Sequence, residues 1–163
     1  MSAGEMTADN RPAPAISIQS APFDVAAEMA ALSGTLHGRT GAIVTFTGLC
    51  RDEGGRLTGL ELEHYPGMAE AEIGRVVEAA QDRWPLQAVR VIHRHGLVAP
   101  GDGIVLVVTA ASHRVAAFEA ASFLMDYLKT KAPFWKREHL ADGTVGGWVE
   151  ATGADDEAAS RWA

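Results

Sequence analysis

The sequence has a single cysteine, Cys50, and no apolar stretch that approaches the ~20 residues of a membrane span. One thiol cannot form a disulfide within the chain or supply the several thiolates of a structural zinc site. The first residues also lack the cationic segment followed by an apolar one that marks a secretory signal. We therefore expect a cytoplasmic protein that does not interact with membranes.

Positive charge is scarce as well, because 14 Lys and Arg against 21 Asp and Glu give a formal net charge of -7. A protein that binds duplex nucleic acid must neutralise many phosphates, so nucleic acid is not an expected partner. The glycines do not have the spacing of a phosphate-binding loop, and no Gly-x-Ser-x-Gly nucleophile elbow occurs. These absences argue against nucleotide-driven and serine-hydrolase chemistry.

Hydrophobic periodicity predicts one domain over residues 15–150, between a flexible leader (1–14) and a polar acidic tail (151–163) that is either frayed or docked. Asp24 and Ser112 are predicted to cap helices. We expect strands 41–51 and 57–65 to pair as a hairpin. The predicted helices begin after Asp24, at Met68 and after Ser112, and the predicted strands cover 15–19, 41–51, 57–65, 87–95, 104–109, 134–139 and 145–149.

The segment 129–137 reverses the sign of the chain, since it carries four cations and no carboxylate: Lys129, Lys131, Lys136 and Arg137. Cations collected in this way repel one another, and an anion is the natural ligand for them. A solvated basic turn is the alternative. Phe134 and Trp135, which lie among the cations, fit a purely solvated loop poorly.

A second candidate anion site lies at His113 and Arg114, near the start of the helix that follows Ser112, where backbone N–H groups and the helix dipole favour negative charge. Lys129 is sixteen residues after His113, which in an unbroken helix is about 24 Å along the axis. The two regions therefore cannot contact one small ligand within one chain. Either they serve different sites, or a second copy of the chain brings its His113 to the lysines.

Two other groupings are weaker. His93 and His95 lie two residues apart on a predicted strand, so their side chains point to the same face. With His64 they suggest a metal site, but no carboxylate or thiol is spaced to complete it. Arg51 is adjacent to Cys50 and would lower the pKa of the thiol, but no partner base is evident and a half-buried strand cysteine is the simpler interpretation.

The same residues carry a resemblance to a known family. The chain resembles the catalytic, large subunit of molybdopterin synthase over residues 41–150. The similarity lies in EHYPGM (63–68), RWPL (83–86), VIHR (91–94), SHR (112–114), FEA (118–120) and above all MDYLKTKAPFWKRE (125–138).

This resemblance implies an α/β hammerhead-type fold with an additional small antiparallel sheet. It also implies a sulfurtransferase of molybdenum cofactor biosynthesis, which converts cyclic pyranopterin monophosphate into molybdopterin. The sulfur would come from the thiocarboxylate on the C-terminal Gly-Gly of a small ubiquitin-like carrier subunit. A homodimer of large subunits would bind two carriers as a heterotetramer. No metal or cofactor is implied.

The family's catalytic lysines map onto Lys129 and Lys136. Lys129 would hold the carrier terminus and assist attack, and Lys136 would bind substrate and stabilise negative charge as the cyclic phosphate opens. Leu49 and Cys50 are less typical, because the family often has a basic or polar residue two positions before the arginine, and the family does not use the Cys50 position for sulfur transfer. The other implied substrate-binding residues are Arg51, His113, Arg114, Arg137 and Glu138.

Two alternatives remain open from the sequence: a catalytically idle module that docks the carrier, and an unrelated protein that binds organic phosphates. The chain ends in Arg161-Trp162-Ala163 instead of Gly-Gly and contains no persulfide-carrier motif. We therefore expect sulfur to arrive on a separate protein.

Overall fold

The computed structural model describes residues 15–131, 133–149 and 153–162, so the predicted leader lies outside the described residues. Seven strands and four helices are present in this part of the chain. In chain order they are β1 (Ala15–Gln19), α1 (Val25–Ser33), β2 (Ala42–Leu49), β3 (Leu57–His64), α2 (Met68–Arg83), β4 (Leu86–Arg94), β5 (Gly96–Val98), β6 (Gly103–Ala111), α3 (Arg114–Thr130), β7 (Phe134–Leu140) and α4 (Gly153–Ser160).

The main sheet has four strands in the order β1-β4-β6-β2, with β1 parallel to β4 and the other pairs antiparallel. β6 lies inside this sheet, as its continuous apolar sequence predicts, and residues 105–111 are all buried. α2 and α3 cover one face of the sheet and form the largest core with it. The apolar face of α3 lies in or beside this core, with these residues buried: Ala117, Ala121, Leu124 and Leu128.

The predicted hairpin between 41–51 and 57–65 is wrong. β2 pairs with β6 in the main sheet, whereas β3 lies between β5 and β7 in a second, antiparallel sheet. The Cys50 N–H donates to the Asp102 carbonyl, and the Gly101 N–H donates to the Cys50 carbonyl, so the end of β2 is tied to the turn before β6. Long-range pairing therefore overrides the local turn. The mixed α/β architecture with a second small sheet, which the resemblance implies, is confirmed.

Capping predictions had mixed outcomes. The Asp24 carboxylate accepts a bond from the Ala27 N–H at 3.0 Å and caps α1, as predicted. Ser112 does not cap α3, because the capping position is His113, whose side chain makes no capping bond. The Ser112 hydroxyl instead accepts from the Gln87 side-chain amide at 3.0 Å.

The face of β4 that carries its arginines is covered by the α1 region. Arg90 pairs with Glu28 at 2.9 Å, and Arg94 is buried with two of its guanidinium nitrogens donating to the Ser20 carbonyl. The arginines of β4 therefore have partners within the protein and do not form a solvent-facing charged surface.

The C-terminal part of the chain differs from the predicted pair of strands. The segment 145–149 forms no strand and pairs with β7 through isolated bridges at Val145 and Val149, with a further bond from the Gly146 N–H to the Glu138 carbonyl. The tail is docked, because Trp162 packs edge-on against Trp84 and Phe123, and its indole N–H donates to Asp126 at 2.6 Å.

Ile73 and Met68 provide a matched test of the core on one helix. Ile73 is fully buried, whereas Met68 is 58% exposed. We expect Ile73→Ala to lower the free energy of unfolding by about 2–5 kcal/mol, because it removes buried methyl groups and leaves a cavity. Met68→Ala should change it by no more than about 0.5 kcal/mol. Urea unfolding measures both, and equal effects would contradict this packing of α2.

Candidate active site

The continuous helix α3 determines which candidate residues lie together. The Thr109 hydroxyl near the end of β6 donates to the Ala117 carbonyl in the second turn of α3 at 2.7 Å. At the other end, Lys129 lies within electrostatic range of His93, which pairs with Val105 near the start of β6. α3 therefore runs antiparallel to β6, and His113 and Arg114 lie at the opposite end of the sheet from Lys129.

Arg51 lies at the lysine end. β2 ends at Leu49, which pairs with Gly103 at the start of β6, and Cys50 and Arg51 follow directly. The Arg51 side chain is 81% exposed and contacts Glu53 at 3.0 Å. It is therefore an accessible cation at the same end of the sheet as Lys129.

Strand β7 separates the predicted basic cluster into two faces. Lys136 pairs with Leu62, and Arg137 pairs with Glu61, so their side chains point to opposite faces of the second sheet. Lys136 shares its face with Phe134 and Glu138. The sequence cluster is therefore not one patch of four cations.

Arg137 is held within the protein. Its guanidinium donates to both carboxylate oxygens of Glu61, at 2.9 and 3.2 Å, and lies 4.4 Å from the ring of Trp148. His139 also contacts Glu61, at 2.7 Å. Hydrogen bonds from Arg137 and then from His139 hold the pKa of the Glu61 carboxyl below its usual range. Glu138, on the other face, contacts Arg56 at 2.9 Å.

The lysines are more concentrated along the chain than the combined count of Lys and Arg from 129 to 137 indicates. The chain contains three lysines, and all of them lie within eight residues: Lys129, Lys131 and Lys136. Lys129 occupies the last turn of α3 and is exposed, and Lys136 is the third residue of β7. Every flexible primary ammonium side chain is thus at one end of the main sheet.

The three histidines considered as metal ligands form an aromatic cluster instead. The His93 ring stacks on Phe134, with centroids 3.8 Å apart and planes at 15°. His64 lies 5.9 Å from Phe134 and 4.6 Å from His95. In the described ranges, no three His, Cys, Asp or Glu side chains are grouped so as to hold a metal ion.

Burial lowers the pKa of His93 to about 4, and the nearby Lys129, His64 and His95 act in the same direction. His93 is therefore neutral at ordinary pH. The aromatic cluster places an uncharged imidazole, not a second cation, beside Lys129.

Cys50 is a packing residue. It is 4% exposed and packs with Leu62 and Val98. Burial raises the pKa of its thiol, and the expectation that Arg51 lowers that pKa is wrong, because the Arg51 guanidinium extends into solvent towards Glu53. Leu49 is 55% exposed.

An aromatic cleft of about 580 Å³ lies where β3 and β7 meet. Tyr65 and Trp135 meet edge-to-face across it at 5.3 Å. Sequence reasoning assigned no role to this cleft, although part of its lining falls in the EHYPGM motif. Its lining residues are Glu63, His64, Tyr65, Pro66, Trp135 and Trp148.

Exposed apolar side chains surround the other candidate site. Val115 and Phe118, in the first turns of α3, are 59% and 62% exposed, and they flank the exposed His113 and Arg114. β2, an edge strand of the main sheet, carries exposed apolar side chains along its length, from Ile43 at the His113 end through Phe46 to Leu49 at the lysine end.

Comparison with known proteins decides the family. The family model described as "MoaE protein" matches residues 18–131. The chain belongs to the MoaE family. A curated relative from Mesorhizobium japonicum, a molybdopterin synthase catalytic subunit, is 64% identical over 152 residues, which cover 92% of this chain and 94% of the relative.

Solved structures agree with this assignment. A MoaE protein of molybdopterin biosynthesis from Burkholderia ambifaria has a TM-score of 0.78 and 45% identity, covering 91% of this chain and 97% of that one. A complex of subunits 1 and 2 of molybdopterin-converting factor from Helicobacter pylori shares the fold, with a TM-score of 0.69 and 21% identity over 85% of this chain and 90% of that one.

The predicted family, the hammerhead-type fold and the prediction of an enzyme of molybdenum cofactor biosynthesis are therefore confirmed. Across the described residues, no helix has both the length and the apolar character needed to cross a membrane.

The low pKa of His93 predicts a pH dependence of stability. Between about pH 6.5 and pH 4 the unfolded chain binds a proton at His93 and the folded chain does not. The contribution of His93 to the free energy of unfolding is therefore fully present above pH 6.5 and is lost as the pH falls towards 4. When the pH falls from 7 to 4, the free energy of unfolding should drop in the wild type by roughly 2–3 kcal/mol more than in His93→Phe, which keeps a stacking ring but cannot be protonated. Urea unfolding at several pH values measures this difference, and parallel pH profiles would exclude His93 as the responsible group.

Proposed function

We propose that this chain transfers sulfur to cyclic pyranopterin monophosphate and so forms the dithiolene of molybdopterin. The donor is the C-terminal thiocarboxylate of a small ubiquitin-like carrier. The observation that carries the proposal is the convergence of the lysines. Lys136 shares a face of β7 with Phe134, Phe134 stacks on His93, and His93 lies in the electrostatic field of Lys129.

The two lysines have separate tasks in this proposal. Lys129, exposed at the end of α3, attracts the negatively charged carrier terminus and assists its attack on the substrate. Lys136 binds the substrate and stabilises the charge that develops as the cyclic phosphate opens. Each transfer forms a C–S bond to a side-chain carbon of the pterin in place of that carbon's oxygen substituent, which leaves, and breaks one carrier C–S bond. Water supplies the oxygen that leaves a carboxylate on the carrier, so two carriers are consumed for each dithiolene.

The remaining expected site residues differ in how directly they can act. Arg51 is exposed at the lysine end and can contact a phosphate without losing a buried partner. Arg137 and Glu138 are already paired with Glu61 and Arg56. We therefore assign them a structural role in holding β7 and not a direct contact with the substrate. Cys50 supports the end of β2, and Leu49 contributes only apolar surface.

We propose that a second copy of the chain completes each pocket. The length of α3 keeps His113 and Arg114 about 24 Å from Lys129 within one chain. Val115 and Phe118, exposed beside them, provide an apolar surface suited to association. Two large subunits joined through this region, each with one carrier, give a heterotetramer. The related Helicobacter pylori protein, solved as a complex of two different subunits, supports the presence of a second kind of chain.

The aromatic cleft offers the carrier an apolar surface beside the strand that holds Lys136. The aromatic cleft ends at Trp135, the residue before Lys136, so it borders the strand that carries the amine, although the two side chains lie on opposite faces. We assign the cleft to the body of the carrier, with its tail passing around the start of β7.

Lys129→Ala tests the main proposal. With purified chain, thiocarboxylated carrier and cyclic pyranopterin monophosphate, we expect dithiolene formation to slow by about 10²-fold or more, because a charge-stabilising group is lost. The matched control is Lys131→Ala, which removes an exposed lysine two positions away and should keep the wild-type rate. A wild-type rate in Lys129→Ala would remove Lys129 from the mechanism. A stable carrier complex without turnover in the wild type would favour an idle docking module.

Complementation tests the shared pocket. Homodimers of Lys129→Ala and of His113→Ala/Arg114→Ala should both be inactive, but a mixed dimer has one site with intact residues. Random 1:1 mixing should recover about a quarter of wild-type activity, since half of the dimers are mixed and each has one of two sites intact.

The control for complementation mixes Lys129→Ala with Lys136→Ala. Because both lysines of a site come from one chain, this mixture should recover nothing. Recovery in the control, or none in the first mixture, would contradict a pocket that is completed across the dimer.

A further inference from the structure

Three aromatic rings join the two sheets beside the lysines. His93 belongs to β4 of the main sheet, whereas His64 and Phe134 belong to β3 and β7 of the second sheet. Phe134 contacts both histidines: the His93 ring lies nearly parallel to it at 3.8 Å, and the His64 ring lies 5.9 Å away. Backbone pairing holds each sheet internally, and this aromatic stack connects one sheet to the other.

The stack also lies between the two lysines along the chain. Phe134 is the first residue of β7, five residues after Lys129 and two before Lys136. Lys129 is held by α3, which packs on the main sheet, and Lys136 is held by β7 in the second sheet. The distance between the two amines therefore depends on how the sheets are joined, and the contact of His93 with Phe134 is one such joint, made by the residue that starts the strand of Lys136.

Burial keeps His93 neutral, and its hydrogen bond fixes which tautomer is present. Its Nδ1 lies 2.8 Å from the Arg94 carbonyl oxygen, which can only accept, so Nδ1 carries the hydrogen. The bond locks both the tautomer and the orientation of the ring. The charged and titratable groups around it are Lys129 on α3, His64 on β3 and His95 after β4, and all three oppose a positive charge on His93.

We propose that His93 is a positioning residue for the lysine pair. Its ring, stacked on Phe134, sets where β7 begins and therefore how far Lys136 lies from Lys129. The proposal rests on the proposed function only in taking the lysines as catalytic. The inference about their geometry holds without it.

Substitutions at His93 separate an effect of the stacked ring on catalysis from an effect on the stability of the fold. We expect His93→Ala to lower kcat by about 10-fold or more, as small displacements of catalytic groups do, with a smaller change in KM for the pterin. His93→Phe keeps a flat ring against Phe134 and should restore kcat to within about 3-fold of the wild type. His37→Ala, which alters an exposed histidine far from the stack, is the control and should have no effect.

Two kinetic results would overturn the proposal. One is a wild-type kcat in His93→Ala. The other is a His93→Phe variant that is folded, by urea unfolding at pH 7, and as slow as His93→Ala.

A measurement without turnover tests the geometry alone. Because the chain has three lysines, reductive ¹³C-methylation gives three lysine signals in an NMR spectrum. His93→Ala should shift the signals of Lys129 and Lys136 but not that of Lys131, and His93→Phe should return them towards the wild-type positions. Unmoved signals would overturn the role of His93. If the wild type forms no dithiolene and the signals still move, the proposed function fails and the role of His93 in spacing the lysines stands.

Discussion

The length and direction of α3 constrain everything that this protein can do with its cations. α3 has 17 residues and so extends about 25 Å. The helix runs antiparallel to β6. The Thr109 hydroxyl contacts its start, and Lys129 at its end lies within electrostatic range of His93. One chain therefore has two separated cationic regions, and a pocket that needs both requires two chains.

The second sheet imposes the other constraint, because strands alternate their side chains. Neighbours in the segment from Trp135 to Glu138 point in opposite directions, so Lys136 faces the aromatic stack and Arg137 faces Glu61 and Trp148. Arg137 gains a bidentate carboxylate and an aromatic ring, while Lys136 stays on the face that leads towards Lys129. A single run of sequence thus supplies both a structural ion pair and a candidate catalytic amine.

Sequence reasoning was mostly accurate where the cause of structure is local, although Ser112 does not cap α3. The Asp24 cap, the apolar face of α3 and the buried strand β6 follow from capping chemistry and periodicity, and the structure has all three. It was wrong where the cause is distant. The expected hairpin failed because the end of β2 bonds to the turn at Gly101 and Asp102, and the expected lowering of the Cys50 pKa failed because burial outweighs an arginine that points into solvent.

The sequence by itself determined the family, most of the helices and strands, and the concentration of lysines, because motifs, hydrophobic period and composition are properties of the chain in order. Only the tertiary structure decided that Arg137 turns away from Lys136, that the histidines stack on Phe134 instead of forming a metal site, and that an aromatic cleft lies at the start of β7. Each of these depends on which strands pair and which face of a strand is covered. Residues far apart along the chain settle those matters through burial and hydrogen bonding, and no local pattern records the outcome.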